Sequence, residues 1–165
     1  MTHPGFTDLS PEAGLPEALL ALNNHFATEL SPLDSAKARH LVRHAFMART
    51  IGNEALLIAF DQDAPYDNPN FQWFHERFDR FVYIDRVVIA PVRQGWGWAG
   101  LLYESLFARA REKDHVRIAC EINLDPPNPR SEAFHVGLGF EAVGQAILPG
   151  TPKTVRYFCK PITTA

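Results

Sequence analysis

The chain has 165 residues, of which 46% are apolar and 21% charged, and its formal net charge is −3. That length suits one domain, 1–165, able to bury a proper core, and the composition is ordinary for a globular protein. The slight acidity gives no general electrostatic reason to bind nucleic acid or an anionic membrane, and no apolar run approaches the roughly 20 residues of a spanning helix. Met1-Thr2-His3-Pro4-Gly5 lacks the basic and apolar regions of a signal peptide, so a cytoplasmic location is the default expectation. Cys120 and Cys159, the only cysteines, have neither metal nor redox spacing, and Cys120 reads as a buried thiol in an apolar strand.

In chain order, residues 1–11 read as an irregular arm. Pro16 to Ala27 reads as a helix with proline near its first turn, and Pro32 interrupts the pattern. A second helix is expected from Ser35 to about Arg43, capped by Asp34 or Ser35. Phe46–Ile51 and Ala55–Phe60 read as paired strands around a tight Gly52-Asn53 turn. Asp61 to Arg80 is rich in turn formers, yet carries Phe71, Trp73, Phe74 and Phe78. These residues either form a short helix packed on the sheet or belong to an acceptor pocket. A buried strand spans Phe81–Ala90, a helix Gly97–Lys113 with Leu102, Leu106 and Ala110 on one face, and a further strand Val116–Asn123. A proline-rich turn, a helix at Ser131–Leu138, and strands at Phe140–Leu148 and Thr154–Phe158 complete the chain. This order predicts an α+β layout around one mixed, mostly antiparallel sheet flanked by helices.

The stretch Arg93-Gln94-Gly95-Trp96-Gly97-Trp98-Ala99-Gly100 joins a strand to a helix. Its glycines allow positive φ and close backbone approach, and the helix start aims N–H groups and a positive dipole end at the loop. Phosphate or pyrophosphate is the natural occupant. No Lys-Ser or Lys-Thr pair follows Gly100, so this is not a P-loop. Gly95-Trp96-Gly97-Trp98-Ala99-Gly100 matches Gly-x-Gly-x-x-Gly, and Glu121 lies near the distance of a ribose-binding acid. However, too little sequence follows for a doubly wound sheet. A glycine loop that merely caps a helix is the bland alternative.

A second segment, Asn128-Pro129-Arg130-Ser131-Glu132-Ala133-Phe134-His135-Val136-Gly137-Leu138-Gly139-Phe140, follows the next strand. Together the two segments resemble the GNAT superfamily of N-acetyltransferases. That family's Gln/Arg-x-x-Gly-x-Gly/Ala turn is matched by Gln94-Gly95-Trp96-Gly97-Trp98-Ala99, with a two-residue ambiguity of register. Its later Asn, aromatic-Tyr and Leu-Gly-Phe elements are matched by Asn128, Phe134-His135 and Leu138-Gly139-Phe140. The resemblance covers residues 80–145 well. It implies a GNAT-like fold in which two parallel strands, 81–90 and 116–123, splay around acetyl-coenzyme A. Backbone groups near Val88 and Ile89 would pair with the pantetheine, and N–H groups from Gln94 to Gly100 would hold the pyrophosphate. Arg93 would add charge or stand solvated, Trp96 and Trp98 would pack or cover the adenine, and Asn128 would lie near the cofactor arm or cap a helix. A homodimer is common in the family.

The implied reaction is direct acetyl transfer to an amine-bearing small molecule or peptide, with no metal and no protein nucleophile. His40 and His44, four apart on a helix, have no third ligand nearby. An amine needs a base, and a carboxylate in an apolar strand is costly unless paired or functional. Glu121 is the first candidate for base or amine recognition, its alternative being a salt bridge with Arg86. Asp85 is the second, its alternative a structural pair with Arg86. Asn123, on the same strand face as Glu121, would orient the acceptor. His135 stands where the family usually has Tyr, often the acid that protonates the leaving thiolate. An imidazole can fill that role near neutral pH, or only pack against the thiol end. A catalytically weak acyl-coenzyme A sensor and a nucleotide-binding regulatory domain are the alternatives in function.

Overall fold

The computed structural model describes residues 4–26 and 32–163. Its elements are β1 (Thr7–Asp8), α1 (Glu17–His25), α2 (Ser35–His44), β2 (Met47–Ile51), β3 (Ala55–Asp61), α3 (Pro69–His75) and β4 (Val82–Ile89). After a 3₁₀ turn at Pro91–Arg93 come α4 (Trp98–Glu112), β5 (Arg117–Asp125), α5 (Pro129–Gly137), β6 (Glu141–Ile147) and β7 (Thr154–Pro161). The strands form one mixed sheet in the order β1-β2-β3-β4-β5-β7-β6, in which only β4 and β5 run parallel.

Local chemistry sets the element ends. Asp34 accepts from the Lys37 N–H at 2.7 Å and starts α2. Asn68 accepts from the N–H groups of Asn70 and Phe71 with Pro69 at the first helical position, and Asn128 with Pro129 opens α5 in the same way. Gly97, at φ +81°, is the N-cap of α4.

Three expectations change. The arm is not wholly irregular: Thr7 and Asp8 pair with Thr50 and Arg49, and the Asp8 carboxylate accepts from Arg49 and Arg109. Its first three residues, and Ala27 of the first helix, lie outside the described residues. The β2–β3 turn is one residue longer than a two-residue hairpin, with the Glu54 N–H bonded to the Ile51 carbonyl. Pro129 starts α5 two residues before Ser131, because proline at the first helical position needs no N–H partner.

Both faces of the sheet are covered, so β3 is a continuous apolar run rather than an alternating one. On one face α4 and α5 enclose Leu102, Leu106, Phe107, Ile118, Cys120 and Ile122. On the other, α1, α2 and α3 enclose Leu19, Leu41, Phe71, Phe74, Tyr83 and Tyr157. The aromatic insertion therefore takes the packing role: Phe71 and Phe74 are fully buried, and Trp73 stacks on Tyr157 at 4.2 Å. Cys120 and Cys159 are free thiols in the cores of opposite faces. Among the described residues, no helix is long and apolar enough to cross a membrane.

A β-bulge explains the Asp85-Arg86 interruption in an otherwise apolar strand. Ile58 pairs with Arg86 and Ala59 with Ile84, leaving Asp85 as the extra residue. The face alternation switches there. Val82 and Ile84 face α4 before the bulge, and Val87 and Ile89 after it. Both charged side chains therefore turn to the α1/α3 face.

Because α3 is held by its buried rings, Phe74→Ala is expected to cost about 3–5 kcal/mol. A lowered urea midpoint with unchanged slope would report that loss; a wild-type midpoint would show that α3 is not part of the core.

Candidate active site

The parallel ladder between β4 and β5 comprises only Val82↔Ile118 and Tyr83↔Ala119. Beyond Tyr83 the strands part, and two adjoining cavities open there. The larger, of about 580 Å³, lies between the end of β4, the glycine turn and α5. The smaller, of about 170 Å³, lies between residues 84–87 of β4 and 120–123 of β5. Val87, Asn128, Ser131 and His135 line both.

The larger cavity gathers most residues assigned to cofactor contact: Val88, Ile89, Arg93, Gln94, Gly95, Gly97, Trp98, Ala99, Gly100 and Asn128. Gly95 and Gly97 have φ of +85° and +81°, and a Cβ on either would meet open space. Backbone conformation, not crowding, therefore demands glycine at both. The first turn of α4 directs N–H groups into the cavity that no intrahelical carbonyl can reach. This donor set and the open space beside it fit a pyrophosphate. Two expected donors are engaged otherwise: the Gln94 N–H bonds to the Pro91 carbonyl and the Trp96 N–H to the Arg93 carbonyl.

Arg93 is half-exposed but held by partners. Its Nε donates to Glu54 at 3.0 Å, and its guanidinium lies over Trp96 at 4.4 Å and Trp98 at 5.2 Å. Trp98 packs on the core, whereas Trp96 is 53% exposed and does not line the cavity. The expectation that both indoles pack on the sheet holds for Trp98 alone, because Trp96 sits at the outer corner of the turn. Asn128 caps α5, its side chain accepting from the Ser131 N–H at 3.3 Å, and also lines the cavity.

The smaller cavity holds the carboxylates. Asp85 is almost wholly buried, with Oδ2 accepting from Arg86 Nε at 2.7 Å and Oδ1 from the Tyr66 hydroxyl. Arg86 Nη1 donates to Asn23 of α1 at 2.9 Å. Burial works against the guanidinium charge, but the adjacent Asp85 carboxylate holds its pKa above the usual value. Glu121 does not pair with Arg86. Its Oε2 accepts from the Tyr83 hydroxyl at 2.7 Å, because Ala119 and Glu121 alternate with Ile118, Cys120 and Ile122 and so face α3. Burial, opposed by the Tyr83 hydrogen bond and reinforced by Asp85, raises the Glu121 pKa to about 7. Asn123 shares that face and lines the same cavity.

His135 joins the two cavities. Its Nδ1 lies 2.7 Å from the Ser131 carbonyl oxygen and its Nε2 2.8 Å from the Tyr103 hydroxyl. Burial pulls the imidazole pKa below its ordinary value. Tyr66, Tyr83 and Tyr103 are absent from the sequence-based assignments. Their signal is a hydroxyl inside an apolar stretch, since a buried tyrosine needs a polar partner. The identity of that partner depends on the fold.

By sequence, no family model and no curated protein matches this chain. Among solved structures the fold is similar to yncA of Salmonella typhimurium, solved with its cofactor acetyl-CoA: TM-score 0.69, 14% identity, covering 99% of this chain and 96% of that one. It is similar to Naa20 of Chaetomium thermophilum in complex with a bisubstrate analogue: TM-score 0.70, 14% identity, covering 96% and 86%. It is also similar to the acetyltransferase of GNAT family from Streptococcus pneumoniae: TM-score 0.68, 13% identity, covering 98% and 100%. The chain has the GNAT fold, with a mixed sheet whose one parallel pair splays.

If Asp85 chiefly compensates Arg86, Asp85→Asn leaves a guanidinium buried without its charge partner. The expected loss is about 3–5 kcal/mol in chemical denaturation. A fully stable variant would assign Asp85 to another task.

Proposed function

We propose that the protein transfers an acetyl group from acetyl-coenzyme A to a primary amine within a ternary complex. The observation that carries this reading is the parting of β4 and β5. It leads from a glycine turn with free helix N–H groups to a carboxylate whose pKa lies near neutrality.

In this reading Gly95, Gly97 and the first turn of α4 bind the pyrophosphate, and Arg130 in the first turn of α5 adds charge from the opposite wall. The edge of β4 at Val88 and Ile89 pairs with the pantetheine amides as an added strand would. The thioester then lies where the two cavities meet, beside His135. Asp85 has both oxygens engaged, so the task of base falls to Glu121, which takes a proton from the incoming ammonium group. Asn123 orients the acceptor. Asp85 serves as a fixed negative charge that keeps the Glu121 proton affinity high.

Calorimetric titration with acetyl-coenzyme A, with NAD and ATP as controls, tests the donor site. Selective saturable binding is expected, and its absence in folded protein would end this reading. Thiol release with a panel of amines then tests turnover; tight binding with no turnover on any amine would favour the acyl-coenzyme A sensor. Glu121 is protonated below a pKa of about 7 and ionised above it, so kcat/KM should rise as pH rises through that value. Glu121→Gln should abolish this limb and lower kcat by about 10²–10⁴-fold, the usual contribution of a positioned base.

A further inference from the structure

We propose that Tyr103 and His135 form a proton shuttle that carries the acceptor amine's second proton to the departing sulphur. This inference rests on the acetyl-transfer reading above, but its first premise is a property of the free protein.

Hydrogen positions follow from the partners. The Ser131 carbonyl can only accept, so His135 Nδ1 bears the hydrogen in their 2.7 Å contact. The imidazole is 5% exposed, and burial disfavours its charged form, so Nε2 carries a lone pair. The 2.8 Å contact is then the Tyr103 hydroxyl donating to Nε2. The ring cannot turn easily: it stands edge-on to Phe134 at 5.3 Å and to Phe140 at 5.1 Å. His135 in this state cannot donate from Nε2, so a simple acid role for it fails. Tyr103 lines the smaller cavity, and its oxygen, having donated, keeps acceptor capacity. Burial first, and then Cys120 and Glu121, hold the phenol protonated. The other ionisable groups facing this cavity are Asp85 and Arg86 on β4, which are paired with each other.

The ammonium group loses its first proton to Glu121. As the C–N bond forms, the nitrogen's second proton passes to Tyr103 Oη while Tyr103's own proton passes to His135 Nε2. The imidazolium so formed has both N–H groups bonded, to the Ser131 carbonyl and to Tyr103. When the C–S bond breaks, the Nε2 proton returns to Oη and the hydroxyl proton passes to sulphur. Tyr103 and His135 end as they began, the amine nitrogen has lost a proton and the thiolate has gained one. Tyr103 meets the reacting atoms; His135 acts through it.

The test begins with histidine-labelled free protein followed by ¹⁵N and ¹³C NMR from pH 6 to 9, with His135→Gln assigning the signal. A neutral Nδ1–H tautomer is expected at pH 7.5 and above, and Tyr103→Phe should raise the imidazole pKa by removing the donor that favours the neutral form. An Nε2–H tautomer, or a charged ring at pH 7.5, overturns the proposal, and the wild-type spectrum decides this even where a variant does not fold. In turnover, Tyr103→Phe and His135→Gln should each lower kcat by about 10²-fold with little change in KM for acetyl-coenzyme A. The double variant should be no worse than the weaker single one, as for residues acting as a unit. Additive losses, or unchanged kcat and pH profile in either single variant, overturn the shuttle. Failure to bind acetyl-coenzyme A would instead count against the acetyl-transfer reading and leave the tautomer result standing.

Discussion

Two parallel strands that hydrogen-bond over only two residue pairs dominate the organisation of this molecule. A buried strand edge without a neighbour leaves backbone N–H and C=O groups that need partners. β4 and β5 stay apart because other elements hold each of them: β3 pairs along the whole of β4, and β7 along the whole of β5. Neither strand depends on the other, so the gap between them is stable. Everything assigned to the site borders that gap. The glycine turn closes one end, α5 lies over one side, and the carboxylates stand on the other.

The same gap arranges the electrostatics. A bulge at Asp85 places two consecutive charged side chains on one face of β4, where they satisfy one another and draw on Tyr66 and Asn23. That pairing leaves Glu121 on the adjacent strand with the Tyr83 hydroxyl donating to its Oε2. A carboxylate near a compensated pair, in a partly dry cavity, is held near the midpoint of its titration at neutral pH. Asp85 on β4 and Glu121 on β5 thus differ because Asp85 has a guanidinium beside its phenol partner, whereas Glu121 is bonded to a phenol.

Much of the fold was legible. The Asp34 cap and the period of α4 are local signals whose physics acts within four or five residues, whereas the Asn-Pro starts of α3 and α5 read as turns. The glycine turn was legible for the same reason, since positive φ at Gly95 and Gly97 is a property of single residues. The parallel neighbours and their splay came from the family resemblance rather than from periodicity. Arg93 shows where local reading stopped: its Glu54 partner comes from the β2–β3 turn, 39 residues earlier.

The sequence by itself determined the order of elements, the glycine turn and the short list of polar residues on apolar strands, because each depends on neighbours in the chain. Only the tertiary structure decided which partner each polar residue has. Asp85 and Glu121 look alike in sequence, yet one is neutralised and the other is not. His135 looks like a free acid, yet both its nitrogens are engaged, one by Tyr103 of another helix. The state of a buried ionisable group is set by whatever lies within about 3 Å, since low local polarity strengthens each such contact, and that shell is assembled from distant parts of the chain.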